Sequence, residues 1–158
     1  MTVSAKSDRV PSPSKRPTPD DRPTIRLLLV DDHPLVREGL KRILGSMMGV
    51  IVVGEASTGE EVIARVRDLE PDIVMMDLSL PRMSGIEAIR IIRKEFPGTR
   101  VLALTMHTEE IYVRGALEAG ASGYLVKDAR PNELVRALET VQRGEEYIMS
   151  SVDARKNR

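Results

Sequence analysis

The sequence has no cysteine, which excludes a disulfide framework, a thiolate-bound zinc or iron–sulfur centre and a thiol nucleophile. It also lacks net charge: 24 Lys and Arg balance 24 Asp and Glu, so there is no bulk field to hold nucleic acid or an anionic membrane. No apolar run approaches the roughly 18 residues of a membrane span, and the first 24 residues lack the apolar stretch of a secretory signal. Together these absences predict a soluble, cytoplasmic protein. At 158 residues it is long enough for one domain and short for two.

What is present is unevenly distributed. The first 24 residues hold Pro11, Pro13, Pro17, Pro19 and Pro23 among ten prolines in all, with four serines, three threonines and four apolar residues. Such a segment buries too little surface to offset its ordering entropy, and residues 1–24 are expected to be a disordered tail. That tail carries five basic and three acidic side chains, leaving the other 134 residues at minus two. A body of that size buries about two-thirds of its unfolded surface, enough for an independent core.

From Ile25 onward short apolar runs alternate with amphipathic stretches. Ile25 to Val30, Val50 to Val53, Ile73 to Met76, Val101 to Leu104 and Tyr124 to Val126 are mostly β-branched or aliphatic on both faces, as strands buried in a parallel sheet are. Between them apolar residues recur at spacings of three and four: Val36, Leu40, Ile43, Leu44 and Met47; Val62, Ile63, Val66 and Leu69; Ile86, Ile89 and Ile92; Leu134, Leu138 and Val141. The helical signal is weakest over Ile111 to Ala119, which contains Gly115. Thr58 to Glu61 and Ser84 to Glu87 have capping-box spacing, Pro34 and Pro131 suit a first helical turn, and Gly54, Gly98, Gly120 and Gly144 are expected to punctuate element ends. Five strand–helix units with right-handed crossovers predict an α/β, doubly wound, five-stranded parallel sheet in the flavodoxin-like order 2-1-3-4-5.

In such a sheet ligands bind beyond the carboxyl ends of the strands, where the strand order reverses. The first strand runs into Asp31 and Asp32, and the third into Asp77. Each aspartate alone could be a turn or cap device, but the three converge on one crevice. At about 5 Å apart they repel by roughly 3 kcal/mol per pair at an effective dielectric near 20, so something positive must offset them. Carboxylate oxygens without cysteine suit Mg²⁺ or Mn²⁺. Lys127 at the end of the fifth strand and Thr105 at the end of the fourth fall on the same edge, although alone they read as a solvated lysine and a β-branched strand terminus. The set suits phosphoryl transfer through an aspartyl phosphate, with metal and lysine neutralising the phosphoryl oxygens.

The stretches LLLVDDHPLVREGL, PDIVMMDLSLPRMSGIEAIR, RVLALTMH and GASGYLVKDA resemble the response-regulator receiver domains of two-component signalling, in particular the NarL/FixJ-like subgroup. The resemblance spans residues 25–144 and leaves 145–158 as a tail or severed linker. It implies Asp77 as phosphoacceptor, Asp31, Asp32, Asp77 and the Ser79 backbone carbonyl around the metal, Lys127 pairing with the phosphoryl group, and Thr105 hydrogen-bonding it. It further implies Tyr124 as a switch aromatic that rotates inward as Thr105 is drawn to the phosphoryl group, remodelling the face made by the fourth helix, fifth strand and fifth helix. A strand aromatic with its hydroxyl in water is the alternative for Tyr124. The implied partners are a histidine kinase or phosphotransfer protein, and a second copy on phosphorylation. No turnover enzyme is implied beyond self-phosphorylation and autodephosphorylation.

His33 and His107 also fall near this edge. A two-histidine, one-carboxylate iron site would leave Lys127 and the surplus acids without a role, so His33 is expected at the start of the first helix. By resemblance, His107 and Ser79 tune phosphoryl lifetime. Met75 and Met76 read as core filler. Two departures from the pattern are Arg130, where an N-cap oxygen is expected, and Asp128, where many relatives have proline. A dehalogenase-like phosphatase would need an acid two residues after the nucleophile, where this chain has Ser79. A flavodoxin-like cofactor binder would not place Asp31 and Asp32 against a phosphate, and a phosphate-independent binding module is a further alternative. The 14 residues after Gly144 are too few for a helix-turn-helix, so the expectation is either a stand-alone receiver or the front half of a DNA-binding regulator.

Overall fold

The computed structural model describes residues 24–106 and 110–149. The predicted tail, apart from Thr24, together with His107 and residues 150–158, lies outside the described residues. The strands are β1 (Ile25–Val30), β2 (Val50–Ala56), β3 (Ile73–Met76), β4 (Arg100–Thr105), β5 (Gly123–Val126) and β6 (Tyr147–Met149). The helices are α1 (Pro34–Gly45), α2 (Gly59–Leu69), α3 (Gly85–Glu95), α4 (Glu110–Ala119) and α5 (Pro131–Gln142).

The sheet is parallel throughout, in the order β2-β1-β3-β4-β5-β6. The expected order of the first five strands is present, but among the described residues the sheet has six. After α5 the chain turns at Gly144, where φ is +91°, and Tyr147–Met149 pairs with β5. Period-two alternation sorts the strand residues into two cores. Leu28, Val30, Val74, Met76, Ala103 and Tyr124 pack with Val62, Val66, Ile89, Ile92 and Ala116 under α2, α3 and α4. Leu27, Leu29, Ile73, Met75, Leu102 and Leu125 pack with Leu44, Leu134, Leu138 and Val141 under α1 and α5. Met75 and Met76 are therefore core residues, as expected, but of opposite layers.

Gly54 does not end a strand. It lies within β2 beside a shift of register, where Leu27 faces Val52 but Leu28 faces Gly54. A Cβ there would meet Leu69 Cδ1 at 2.6 Å, so the glycine admits α2 close to a bulged strand.

The caps form largely as the spacing predicts. Thr58 Oγ1 and Ser84 Oγ accept from the backbone N–H groups of Glu61 and Glu87, both at 3.1 Å. The return arm of the first box closes one residue early, because Glu61 accepts from the Ser57 N–H at 2.8 Å. At α5 only the return arm forms: the Arg130 side chain has no acceptor to offer, and Glu133 accepts from the Arg130 backbone N–H at 2.9 Å.

Candidate functional site

The residues singled out in the sequence meet at the carboxyl edge because the ladder extends one step beyond three strands. Asp31 N–H donates to the Ala56 carbonyl at 3.1 Å, Asp77 N–H to Val30 at 3.0 Å, and Lys127 N–H to Thr105 at 2.9 Å. Each side chain therefore starts from backbone that the sheet holds fixed. Asp31 and Asp77 are buried and Thr105 closes β4 fully buried, while Asp32 is about one-third exposed at the rim.

Lys127 reaches between two of the acids. Its Nζ lies 2.7 Å from Asp31 Oδ2 and donates to Asp77 Oδ2 at 2.9 Å. Burial works against the ammonium, but its contacts with Asp31 and Asp77 outweigh burial and hold the lysine pKa above its ordinary value. The other oxygen of Asp77, Oδ1, accepts from the Ser79 N–H at 3.0 Å, closing an Asx turn over the end of β3. Gly85, at the start of α3, lies against this turn. A Cβ there would come 2.5 Å from Leu78 Cα and 2.9 Å from the Asp77 carbonyl oxygen.

One lysine does not balance three carboxylates. Asp31 Oδ2 is paired with Lys127 Nζ at 2.7 Å, whereas Asp32 Oδ1 is a buried atom that accepts no hydrogen bond, although His33 Nδ1 stands 3.1 Å from it. Asp31, Asp32, His33 and Asp77 each offer one ligand atom within a set no more than 4.8 Å across. Surplus carboxylate charge and the unpaired Asp32 Oδ1 in a set of that size fit a hard divalent cation, which Asp31, Asp32 and Asp77 would hold.

Tyr124 is completely buried and packs in the layer under α2, α3 and α4, so the alternative of a hydroxyl standing in water does not hold. A shallow cavity of about 380 Å³, lined by His33, Val36, Met106, Lys127 and Asp128, opens beside the acids. A cleft of similar size between the α1–β2 loop and α5, lined in part by Ile25, Met47 and Leu138, contains none of the site residues.

Sequence reasoning missed two supports. Arg37 on α1 donates to the Asp31 carbonyl at 2.6 Å and to Glu55 on β2 at 2.9 Å, and Lys41 joins Glu55 at 2.8 Å. This bracket ties α1 to the backbone that carries the first acid. The second is the His33 ring, which lies against both Asp31 and Asp32. The Pro at N1 was the available signal, since it fixes His33 as an extended N-cap immediately after the acid pair.

A doubly wound parallel sheet with three aspartates and a lysine at its strand-order reversal defines a class of small α/β domains with an acidic carboxyl-edge site. Within that class the chain belongs to the response regulator receiver domain family, whose model matches residues 27–139. It is 44% identical over 128 residues to the response regulator UvrY of Escherichia coli (strain K12), covering 81% of this chain and 59% of that protein. Among solved structures it resembles a LuxR-family two-component response regulator from Aurantimonas sp. SI85-9A1, at 45% identity and a TM-score of 0.78, covering 84% of this chain and 94% of that one. It also resembles the isolated receiver domain of RcsB from Salmonella enterica serovar Typhimurium, determined in the presence of the phosphomimetic BeF3⁻, at 28% identity and a TM-score of 0.76, covering 83% and 97%. The chain thus spans about three-fifths of the length of curated relatives such as UvrY.

Proposed function

We propose that the chain is the phosphorylation-driven switch of a two-component system, with Asp77 as phosphoacceptor and a histidine kinase or phosphotransfer protein as donor. The observation that carries this reading is Lys127, whose ammonium is held at once by Asp31 and Asp77 at the ends of two adjacent strands. A carboxylate oxygen of Asp77 forms the new bond to phosphorus while the bond to the donor's leaving atom breaks and its electron pair stays with the donor. Lys127 and the Thr105 hydroxyl then face the phosphoryl oxygens. Asp31, Asp32, Asp77 and the Ser79 carbonyl would hold a Mg²⁺ or Mn²⁺, which would supply charge neutralisation for those oxygens. The apolar cavity beside Lys127 and Met106 leaves the donor a path to the acids. The chain works on itself and turns over no other substrate.

The switch lies in the next layer. Thr105 ends β4 and Tyr124 lies beside it on β5, paired across the ladder with Ala103. Drawing Thr105 toward a phosphoryl group would stabilise Tyr124 in its inward position and shift α4 and α5, which present the output face to a second copy or another protein. In a whole regulator of this kind, acting in the cytoplasm, the part not spanned here would read DNA and regulate transcription.

Intact mass after incubation with a small phosphodonor and Mg²⁺ tests the proposal. The protein should gain one phosphoryl group and Asp77→Asn none. A gain that persists in the variant would remove Asp77 from its role, and no gain in either protein would leave a phosphate-independent binding module.

A further inference from the structure

We propose that His33 is an additional ligand donor of the acidic crevice, giving the site a preference for first-row transition-metal divalent ions over Mg²⁺. The inference rests on the reading that the crevice holds a divalent cation.

Sequence and local backbone place the ring. Asp31, Asp32, His33 and Pro34 are consecutive, and Pro34 fixes the first turn of α1 so that His33 is an extended N-cap, with φ −101° and ψ 110°. Its backbone N–H is committed to Asp31 Oδ1 at 2.8 Å. Its side chain makes no capping bond to the helix. Instead Nδ1 lies 3.0 Å from Asp31 Oδ1 and 3.1 Å from Asp32 Oδ1.

Those two separations match the edge of an octahedron. Ligands at about 2.1 Å from an ion stand about 3.0 Å apart when adjacent and about 4.2 Å when opposite. The widest separation in the four-residue set, 4.8 Å, needs only a small contraction to fit. The reading of His33 as a plain hydrogen-bond partner accounts for less. One Nδ1 hydrogen can serve one acceptor well, and Asp32 Oδ1 is a buried atom that accepts no hydrogen bond. A cation shared by Nδ1 and the two carboxylates would satisfy all three together. An imidazole in the ligand set disfavours Mg²⁺, which takes oxygen, relative to Co²⁺ and Ni²⁺, which accept nitrogen readily.

The test compares Mg²⁺, Co²⁺ and Ni²⁺ binding by titration calorimetry in the full chain, in His33→Ala and in His33→Gln, at one fixed pH. Mg²⁺ should displace Ni²⁺ competitively. His33→Ala should weaken Ni²⁺ binding at least about tenfold, the lower end of what loss of even an outer-shell partner costs, and change Mg²⁺ binding by less than about threefold. The Co²⁺-loaded protein should show a strongly shifted, exchangeable imidazole proton that is absent in both variants and retained in His107→Ala. Equal losses for Mg²⁺ and Ni²⁺ would make His33 an outer hydrogen-bond partner and overturn the inference. So would no loss for either ion, or Ni²⁺ that Mg²⁺ cannot displace. With Mg²⁺ binding and Asp77 phosphorylation intact, those results leave the switch reading standing. Absence of any divalent binding in the unaltered chain overturns both.

Discussion

Lys127→Met isolates the charge balance of the crevice. The substitution keeps most of the stem packing and removes the ammonium that stands 2.7 Å from Asp31 Oδ2 and 2.9 Å from Asp77 Oδ2. Both carboxylates are almost fully buried, and the lysine is 10% exposed, so water cannot simply replace it. Removing one member of a buried ion pair costs about 3–5 kcal/mol. Because Asp32 opens the crevice to solvent at its rim, the lower end applies, about 3 kcal/mol. At a urea slope near 1.5 kcal/mol per molar, that is a fall of about 2 M in the denaturation midpoint. Asp77→Asn removes one of the competing charges, so the double variant should recover about 2 kcal/mol relative to additivity. Urea denaturation of the four proteins near neutral pH, first with chelator and then with excess Mg²⁺, measures each quantity. Mg²⁺ should restore part of the Lys127→Met loss, because a divalent cation neutralises the same oxygens. A midpoint shift below about 0.5 M, or strict additivity of the two substitutions, would refute the idea that this lysine is held in place by two buried acids.

The remaining predictions concern parts that support the site. The Glu55 carboxylate is held below its ordinary value of 4.5 chiefly by its hydrogen bond from Lys41, and Glu61 by the Ser57 backbone N–H. Groups with depressed folded pKa values contribute stability above pH 4.5 and lose it as pH falls through those values, so the melting temperature should drop on acidification below pH 4.5. Melting curves of Glu61→Gln should show a shallower drop, and an unchanged slope would refute the assignment. Gly85→Ala forces a methyl against the Asp77–Leu78 backbone. It should cost about 2–3 kcal/mol of stability by urea denaturation, and it should also weaken Mg²⁺ binding; a stable variant with unchanged affinity would show that α3 yields more easily than the packing implies.

The strands and the acids were legible in the sequence because their signals are local. A four-residue aliphatic run such as Ile73–Met76 has few alternatives to a buried strand, and an aspartate after it must fall on the carboxyl edge. The capping pairs at Thr58 and Ser84 were legible for the same reason. What stayed hidden depended on partners distant in sequence or on segments too short to show a period. Tyr147–Met149 has three residues and forms a strand only because the edge of β5 is there to pair with. Gly54 reads as punctuation until the register shift opposite Leu27 and Leu28 shows it to be the place where α2 presses on the sheet. Glu55 looks like an ordinary polar strand residue, and its work depends on Arg37 arriving from α1 eighteen positions away. His33 was placed correctly at a helix start, but which way its ring would turn depended on a helix cap that it does not make.

The sixth strand reverses the direction in which the backbone runs after α5. A helix that returns from the carboxyl edge of a parallel sheet delivers the chain to the amino edge, remote from the acids. Tyr147–Met149, running parallel to β5, carries it back across the sheet by about 3.3 Å per residue. At Met149 the backbone is level with Leu125, two positions before Lys127. Tyr147–Met149 therefore lies beside the strand whose end holds the lysine, and the two are joined by a shared hydrogen-bond ladder rather than by a side-chain relay.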